Sequence, residues 1–332
     1  MMRKASCVAA EVQFDLVQLA PGLSSECHLY TWNPVVKPLG SESKITFIHE
    51  THVEVFNCSS IGLNGHRLHA TFSDKKNAHT AGYEDLPENL TDALRDRGLL
   101  VELSRDDRED PSVAHFAAHS PEPSECLRRL RNSTVGILGL GGTGSVVLQH
   151  LIGAGITRLV LADMDTVSAS NLNRQFIYSI DDIGRKKTVA AADYVSRRVS
   201  EPLITLVEAL IASGRDLVEA MRPVDLLFCC IDTPAGKLGE ILAEYRHATG
   251  SATIQGDVGV QFGSFGPLDV GTEGMRDARQ ARSGREAAGT PTPWSFGPTN
   301  TLVGAMMAKQ GIEWLAGIPK SPVERRRKII RF

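Results

Sequence analysis

Gly139-Leu140-Gly141-Gly142-Thr143-Gly144 is the run whose spacing most directly predicts a ligand. It matches G-x-G-x-x-G between an apolar stretch and an apolar helical pattern, so its backbone amides and the helix dipole can meet phosphate. Glycine turns of this kind also occur for strand–helix packing alone, but here an acidic partner is in place. Asp163 lies 24 residues after Gly139, at the end of the next apolar stretch, where a carboxylate can accept hydrogen bonds from ribose hydroxyls. A second constellation bears on which nucleotide. Asp163-Met164-Asp165 leads into Ser170-Asn171-Leu172-Asn173-Arg174-Gln175, and Gly184-Arg185-Lys186-Lys187 begins nine residues after Gln175. A nicotinamide cofactor carries only a pyrophosphate, whereas a triphosphate needs additional cations and usually magnesium. Arg174 and Lys187 could supply those cations. Taken singly, each reads more readily as a solvated charge at a helix start, and it is the combination that carries the argument. Asp232 ends the apolar run 224–231, at the sheet edge where ligands collect, and is the best magnesium-ligand candidate.

These residues need a scaffold that brings them to one edge. Apolar stretches at 134–138, 158–162, 203–210 and 224–231 read as strands, with helices over 145–152 and 187–199. Strand and helix alternating over about 100 residues predict an α/β fold with a doubly wound, mainly parallel, Rossmann-like sheet. Beyond Gly250, glycine-rich segments predict an antiparallel C-terminal extension. An Arg-rich polar stretch over 271–291 follows, read as a solvated loop, and then an apolar helix over 299–315. Ahead of the sheet, charged and Pro-rich residues 105–126 predict a linker between a front module, 1–104, and the nucleotide domain, 127–332. In the front module, alternating segments at 44–49, 52–56 and 67–72, with turn residues such as Asn64-Gly65, predict a small antiparallel sheet. Residues 86–103 predict a helix stopped by Gly98 and then one strand, completing a small α+β winged-helix-like module.

Composition narrows the function classes. In 332 residues, 36 Lys and Arg against 39 Asp and Glu leave a net charge of −3, no electrostatic basis for a nucleic-acid or anionic-membrane partner. Six cysteines without any C-x-x-C pair read as reduced thiols, with neither a disulfide framework nor a zinc site. No apolar run approaches the roughly 18 residues that span a bilayer. Glu11 and Asp15 stand where a signal peptide would be apolar, so a cytoplasmic protein is expected. Adjacent Cys229 and Cys230 point to opposite faces of a predicted central strand and read as core thiols rather than nucleophiles. His49/His52 and His66/His69 lie on predicted strands, where i,i+3 side chains face opposite sides, and read as surface residues. His115 and His119 would share a helix face, but Pro111 and Pro121 confine that helix to about two turns, which disfavours a metal role.

From Val135 to Asp232, the runs Gly-Leu-Gly-Gly-Thr-Gly, Leu-Ala-Asp-Met-Asp-Thr-Val, Ser-Asn-Leu-Asn-Arg-Gln and Cys-Cys-Ile-Asp resemble the ThiF/MoeB-type adenylating enzymes related to ubiquitin activators. The resemblance extends more weakly through 265–268 and 296–300 to the C-terminal helix. It implies ATP-dependent activation of a carboxylate as an acyl-adenylate in a homodimer, with ATP and magnesium as cofactors. Carried onto this chain, Gly139, Gly141, Gly142, Gly144 and Asp165 join the nucleotide site and Asp163 holds the ribose. Asn171, Arg174 and Lys187 contact phosphates, Gln175 follows the same motif, and Asp232 holds magnesium. Arg174, Lys187 and Asp232 are then the catalytic set. Many members carry two C-x-x-C pairs for zinc and some a thioester-forming cysteine; this sequence has no Cys after Cys230, so neither is expected.

A separate front module resembles the peptide-maturing branch of that family, typified by the microcin C adenylyltransferase, with the pantocin A maturation enzyme as another relative. This implies a ribosomally made precursor peptide as partner, modified in antibiotic biosynthesis. An exposed edge strand near 44–56 could take an extended leader by strand addition, with a helix near 88–97 as the other wall. A purely structural or dimerising front module is the competing reading. Arg105 or Arg108 could reach a partner's ATP across a dimer. Three other functions stay open at this point: activation of a sulfur-carrier C-terminal Gly, nicotinamide or flavin oxidoreduction, and a non-catalytic nucleotide-binding partner.

Overall fold

A computed structural model describes residues 10–12, 30–34, 36–48, 53–58, 65–66, 88–104, 107, 110–259, 262–270, 295–318 and 327–331. The chain divides into two compact units, Met1–Leu127 and Arg128–Phe332. Arg105, Arg108, the segment 67–72 and the Arg-rich stretch 271–291 lie outside the described residues.

The first unit contains β1 (Ala10–Val12), β2 (Tyr30–Trp32), β3 (Lys37–Gly40), β4 (Lys44–Ile48), β5 (Val53–Asn57), α1 (Glu88–Asp96), β6 (Leu100–Glu102) and α2 (Val113–Ala117). Its four-stranded sheet has the order β1-β5-β4-β3, and β2 pairs with β6. The expected antiparallel sheet is corrected to a mixed one, because β1 runs parallel to β5. A pairing across about 40 residues leaves no trace in local alternation. The same order corrects the expected edge: β4 and β5 are interior, and the described free edges are β1 and β3. Alternation along β4 buries Ile45 and Phe47 against Trp32, Leu90, Leu94, Leu99 and Leu100, with the Trp32 and Phe47 rings edge-on at 5.2 Å. The helix α1 ends as expected at Gly98, whose φ of 67° suits glycine, and Leu99 N donates to Leu94 O at 2.9 Å. Residues 105–126, expected as linker, hold α2, whose buried Val113, Phe116 and Ala117 form an i, i+3, i+4 stripe between charges. Asn33 Nδ2 donates to Ala117 O at 3.0 Å and Gly98 O at 2.8 Å, tying that helix to the strand region of its own unit.

A helix, α3 (Pro123–Asn132), leads into the second unit. There β7 (Thr134–Leu138), α4 (Gly142–Gly153), β8 (Arg158–Ala162), α5 (Lys187–Ser196), β9 (Leu203–Val207), α6 (Gly214–Met221), β10 (Leu226–Cys229), α7 (Leu238–Thr249), β11 (Ala252–Val258), β12 (Phe262–Asp269), α8 (Gly297–Leu315) and β13 (Lys328–Arg331) follow. The seven-stranded sheet has the order β13-β12-β11-β10-β7-β8-β9. Strands β9 to β11 in that row are parallel, and β12 and β13 add an antiparallel edge; the expected antiparallel extension beyond Gly250 is thus corrected at β11, which continues the parallel sheet beside β10, and holds for β12 and β13. Alternate residues of β10 serve opposite faces. Leu227 and Cys229 join Leu217, Met221, Ile241, Leu242 and Tyr245 under α6 and α7, while Leu226 and Phe228 meet Gly311 of α8. The chain leaves β7 toward β8 on one side and later returns to β10 on the other. The β7/β10 boundary is therefore the switch point, and the crevice at its carboxyl end is where such sheets take ligands. No helix among the described residues is long and apolar enough to cross a membrane.

Candidate active site

The glycine turn sits in that crevice. Gly139 directly follows β7 with φ 92°, and a Cβ there would lie 2.7 Å from Ile231 Cγ2 and 3.0 Å from Cys230 O, beside the end of β10. Gly141 precedes the first turn of α4, so that helix begins at Gly142, three residues earlier than the expected Ser145. Two further glycines are required by close approach: a Cβ on Gly142 would fall 2.3 Å from Asn300 Oδ1, and one on Gly144 1.8 Å from Gly139 O. At Gly141 the nearest neighbour of such an atom is Gln175 Nε2 at 3.8 Å, leaving that side of the turn open.

Asp163 occupies the end of β8, as the spacing predicts, and its side chain is only 8% exposed. Its Oδ2 accepts from Leu140 N at 2.7 Å and its Oδ1 from Asp165 N at 2.8 Å. The carboxylate therefore braces the glycine turn from below through charge-assisted bonds. Lys187, at the start of α5, is 7% exposed; its Nζ bonds Asp165 Oδ2 at 2.8 Å and lies 4.0 Å from Asp163 Oδ2. A buried ammonium needs this compensation, so the expected solvated charge is a paired one. Asn171 and Arg174 belong to one tight turn. Asn171 Oδ1 accepts from Ser168 N at 3.0 Å, and the Arg174 guanidinium donates to Ser170 O at 2.9 Å and Asn173 Oδ1 at 2.8 Å. Gln175 is 2% exposed, and its Oε1 has no hydrogen-bond partner, an unmet acceptor behind the glycine turn. Asp232 is exposed beyond the end of β10.

Two residues of this region escape the motif. Tyr178, three positions after Gln175, donates its hydroxyl to Leu140 O at 3.0 Å and lies 3.4 Å from Lys187 O. Burial, reinforced by nearby Asp163, Asp182 and Asp165, pushes its phenol well above the usual range and keeps it a donor. Asn300, in the first turn of α8, bonds Ser295 Oγ at 2.7 Å and Phe296 O at 2.8 Å and packs on Gly142. The amino-terminal ends of α4 and α8 thereby lie side by side, two positive dipole ends at one crevice. The sequence signal for Asn300 was the run Phe296-Gly-Pro-Thr-Asn300; for Tyr178 there was none beyond its closeness to Gln175.

Neither adjacent thiol is disposed to attack. Burial pushes Cys229 up to about 12, a backbone bond at Ile231 and the Arg327 charge offsetting it only in part, and burial likewise raises Cys230. The rings of His115, on α2, and His119, two residues past its end, stack edge-on with centroids 5.3 Å apart.

The comparisons with known proteins agree with this architecture. The ThiF family model matches residues 116–331. Molybdopterin-synthase adenylyltransferase of Escherichia coli is 40% identical over 106 residues, 32% of this chain and 42% of that protein. Sulfur carrier protein adenylyltransferase of Thermus thermophilus is 37% identical over 109 residues, 32% of this chain and 38% of that protein. The chain thus matches less than half the length of these curated relatives. Among solved structures, Escherichia coli MccB in complex with AMPCPP and MccA is similar at a TM-score of 0.66 and 20% identity, covering 92% of this chain and 94% of that one. PaaA is similar at a TM-score of 0.60 and 22% identity, over 74% and 88% of the two chains. At these identities the likeness speaks to the fold. The family model spans most of the sheet that the motif spacing predicts, glycine turn included, and on that match this chain belongs to the ThiF family.

Proposed function

We propose that the chain uses ATP to adenylate a carboxylate on a ribosomally made precursor peptide. The observation that carries the nucleotide part is the glycine turn at the β7/β10 switch point, fixed beneath by Asp163 and beside two helix amino termini. Such a cradle suits a polyphosphate. Gly139, Gly141, Gly142 and Gly144 admit the phosphates, Asp163 and Asp165 line the ribose side, and Asn171, Arg174, Gln175 and Lys187 flank the transferring group. Asp232 fits a magnesium ion: it is an exposed hard oxygen donor, and magnesium typically takes one or two carboxylates plus substrate phosphates. When bound, the ion would offset charge on the phosphates. The peptide carboxylate oxygen bonds the α-phosphorus, the bond from that phosphorus to the bridging oxygen breaks, and pyrophosphate leaves. Positioning and electrostatic stabilisation supply the acceleration, with Arg174 and Lys187 as the protein's cations. A nucleophile within the peptide then bonds the acyl carbon of the mixed anhydride, the acyl–oxygen bond breaks, and AMP leaves.

The peptide part rests on coverage. The structural likeness to MccB, solved with MccA, extends over more than nine-tenths of both chains and so takes in most of the first unit as well as the sheet. The first unit, residues 1–104 with the 105–126 connection, is proposed to receive the leader at a free sheet edge, and β3 is the better placed, with Leu39 48% exposed. A homodimer belongs to the same proposal, supported by exposed Met164, Phe176, Ile180 and Phe296. Cytoplasmic location is proposed with it.

The test is AMP and pyrophosphate release from Mg-ATP with the short peptide encoded nearest this gene, the peptide being followed by mass. Peptide-dependent AMP supports the proposal. Release only with a Gly-Gly-ended carrier protein would transfer it to sulfur-carrier activation. ATP binding without turnover would indicate a non-catalytic partner, and tight NAD binding without ATP binding an oxidoreductase.

A further inference from the structure

The geometry points to Tyr178 as a positioning residue whose hydroxyl holds the glycine turn ready for a polyphosphate before any nucleotide arrives. The inference rests on the nucleotide reading proposed above.

Leu140 is the residue at the apex of the turn, between Gly139 and Gly141, and both of its backbone polar groups are held by side chains. Its N–H is taken by Asp163 Oδ2 at 2.7 Å, and its carbonyl by the Tyr178 hydroxyl at 3.0 Å. Tyr178 is 7% exposed and Leu140 fully buried, so no solvent water stands ready to replace a lost donor. The peptide planes on either side of Leu140 therefore have one orientation, and the neighbouring Gly141 is left facing open space. The same hydroxyl lies 3.4 Å from Lys187 O, on the first residue of α5, so the turn is referenced to the helix that carries the buried ammonium. Without the hydroxyl, a glycine-rich turn regains alternative backbone states. Apparent affinity then falls by the fraction of molecules that keep the competent one.

Tyr178→Phe keeps the ring and its packing and removes only the donor. Titration calorimetry with Mg-ATP is expected to show Kd weakened five- to tenfold, roughly the effect of one lost buried hydrogen bond, with precursor-peptide affinity unchanged. A merely structural role would lower Tm and leave the Kd of the folded protein as it was, and that result overturns the inference. A second measurement needs no variant. In the wild-type chain without nucleotide, the Leu140 amide is expected to exchange with deuterium as slowly as those of β7. Rapid exchange that slows only when ATP is added would overturn the inference even if Y178F failed to fold. If the wild-type chain binds no ATP at all, the nucleotide reading itself falls; unchanged Mg-ATP affinity in Y178F refutes the role of Tyr178 alone.

Discussion

Two glycines of α4 should respond in opposite directions to the same substitution. Alanine within a helix gains roughly 0.8–1 kcal/mol over glycine, so propensity alone predicts stabilisation at both Gly144 and Gly153. The structure separates them. At Gly153 an added Cβ meets nothing within 4 Å, so Gly153→Ala should realise much of that gain. At Gly144 it would lie 1.8 Å from Gly139 O, against the 3.4 Å or more of an ordinary contact, so the turn must retreat by about 1.6 Å. Both partners are backbone and cannot rotate aside, which places the strain at the upper end of the ~1–3 kcal/mol typical of overpacking. After the propensity gain is subtracted, Gly144→Ala should cost about 2 kcal/mol. For a unit of roughly 200 residues, at about 2–4 °C per kcal/mol, Tm should fall by about 4–8 °C for Gly144→Ala and rise by about 1–4 °C for Gly153→Ala. Scanning calorimetry reads both shifts, and Mg-ATP titration of the Gly144 variant should show affinity down more than tenfold. A Gly144→Ala protein melting at or above wild type, with ATP binding intact, would refute the reasoning.

Asp232→Asn should remove most peptide-dependent AMP release while leaving Tm within a degree or two, because the side chain is exposed; a normal rate would sink the magnesium assignment. Leu39→Asp on β3 should weaken precursor-peptide binding, measured by fluorescence anisotropy, and spare ATP binding; equal peptide affinity would remove β3 as the docking edge. Cys229 titrates near 9 when unfolded and at about 12 when folded, so between those values the unfolded chain has released a proton the folded chain retains. Stability should accordingly fall as pH rises through that window, by up to ~1.4 kcal/mol per pH unit. Urea melts across that range should show a shallower fall for Cys229→Ala, and parallel slopes would contradict the burial argument.

What was readable in the sequence depended on how local the determinant is. The β7–turn–α4 unit and Asp163 follow from spacing within about 25 residues, and the structure places both as expected. The helix α4 starts three residues ahead of the expected Ser145 because packing against Asn300 and Gly139 outweighs the poor helix propensity of Gly142 and Gly144. The helix α6 is absent from the periodicity-based expectation, yet Ser213 and Asp216 form a reciprocal capping box at its start, with Asp216 N donating to Ser213 Oγ at 3.2 Å and Ser213 N to Asp216 Oδ2 at 2.9 Å. The pairing of β1 with β5 and the approach of Asn300 to Gly142 join residues far apart in the chain. No periodicity reports such contacts. In the site, residue types predict charge at Lys187 but not its pairing with Asp165, which needs the end of β8 and the start of α5 placed in space.

The helix α8 carries glycines at 297, 304 and 311, one every seven residues along a single stripe. A Cβ at these positions would lie 2.9 Å from Asn173 O, 2.8 Å from Thr143 O and 2.3 Å from Phe228 Cζ respectively. The stripe runs about 21 Å, from the Arg174 turn past the first turn of α4 to the core ring on β10. The three notches act like the teeth of a key. A slide of one residue would drive a side chain into all of them together, so this helix has one admissible register and no graded alternatives. Displacement at the Phe228 end would then be felt at the Arg174 end as rigid translation. Core substitutions beneath Gly311 would thereby shift the Arg174 turn, about four helix turns away along α8.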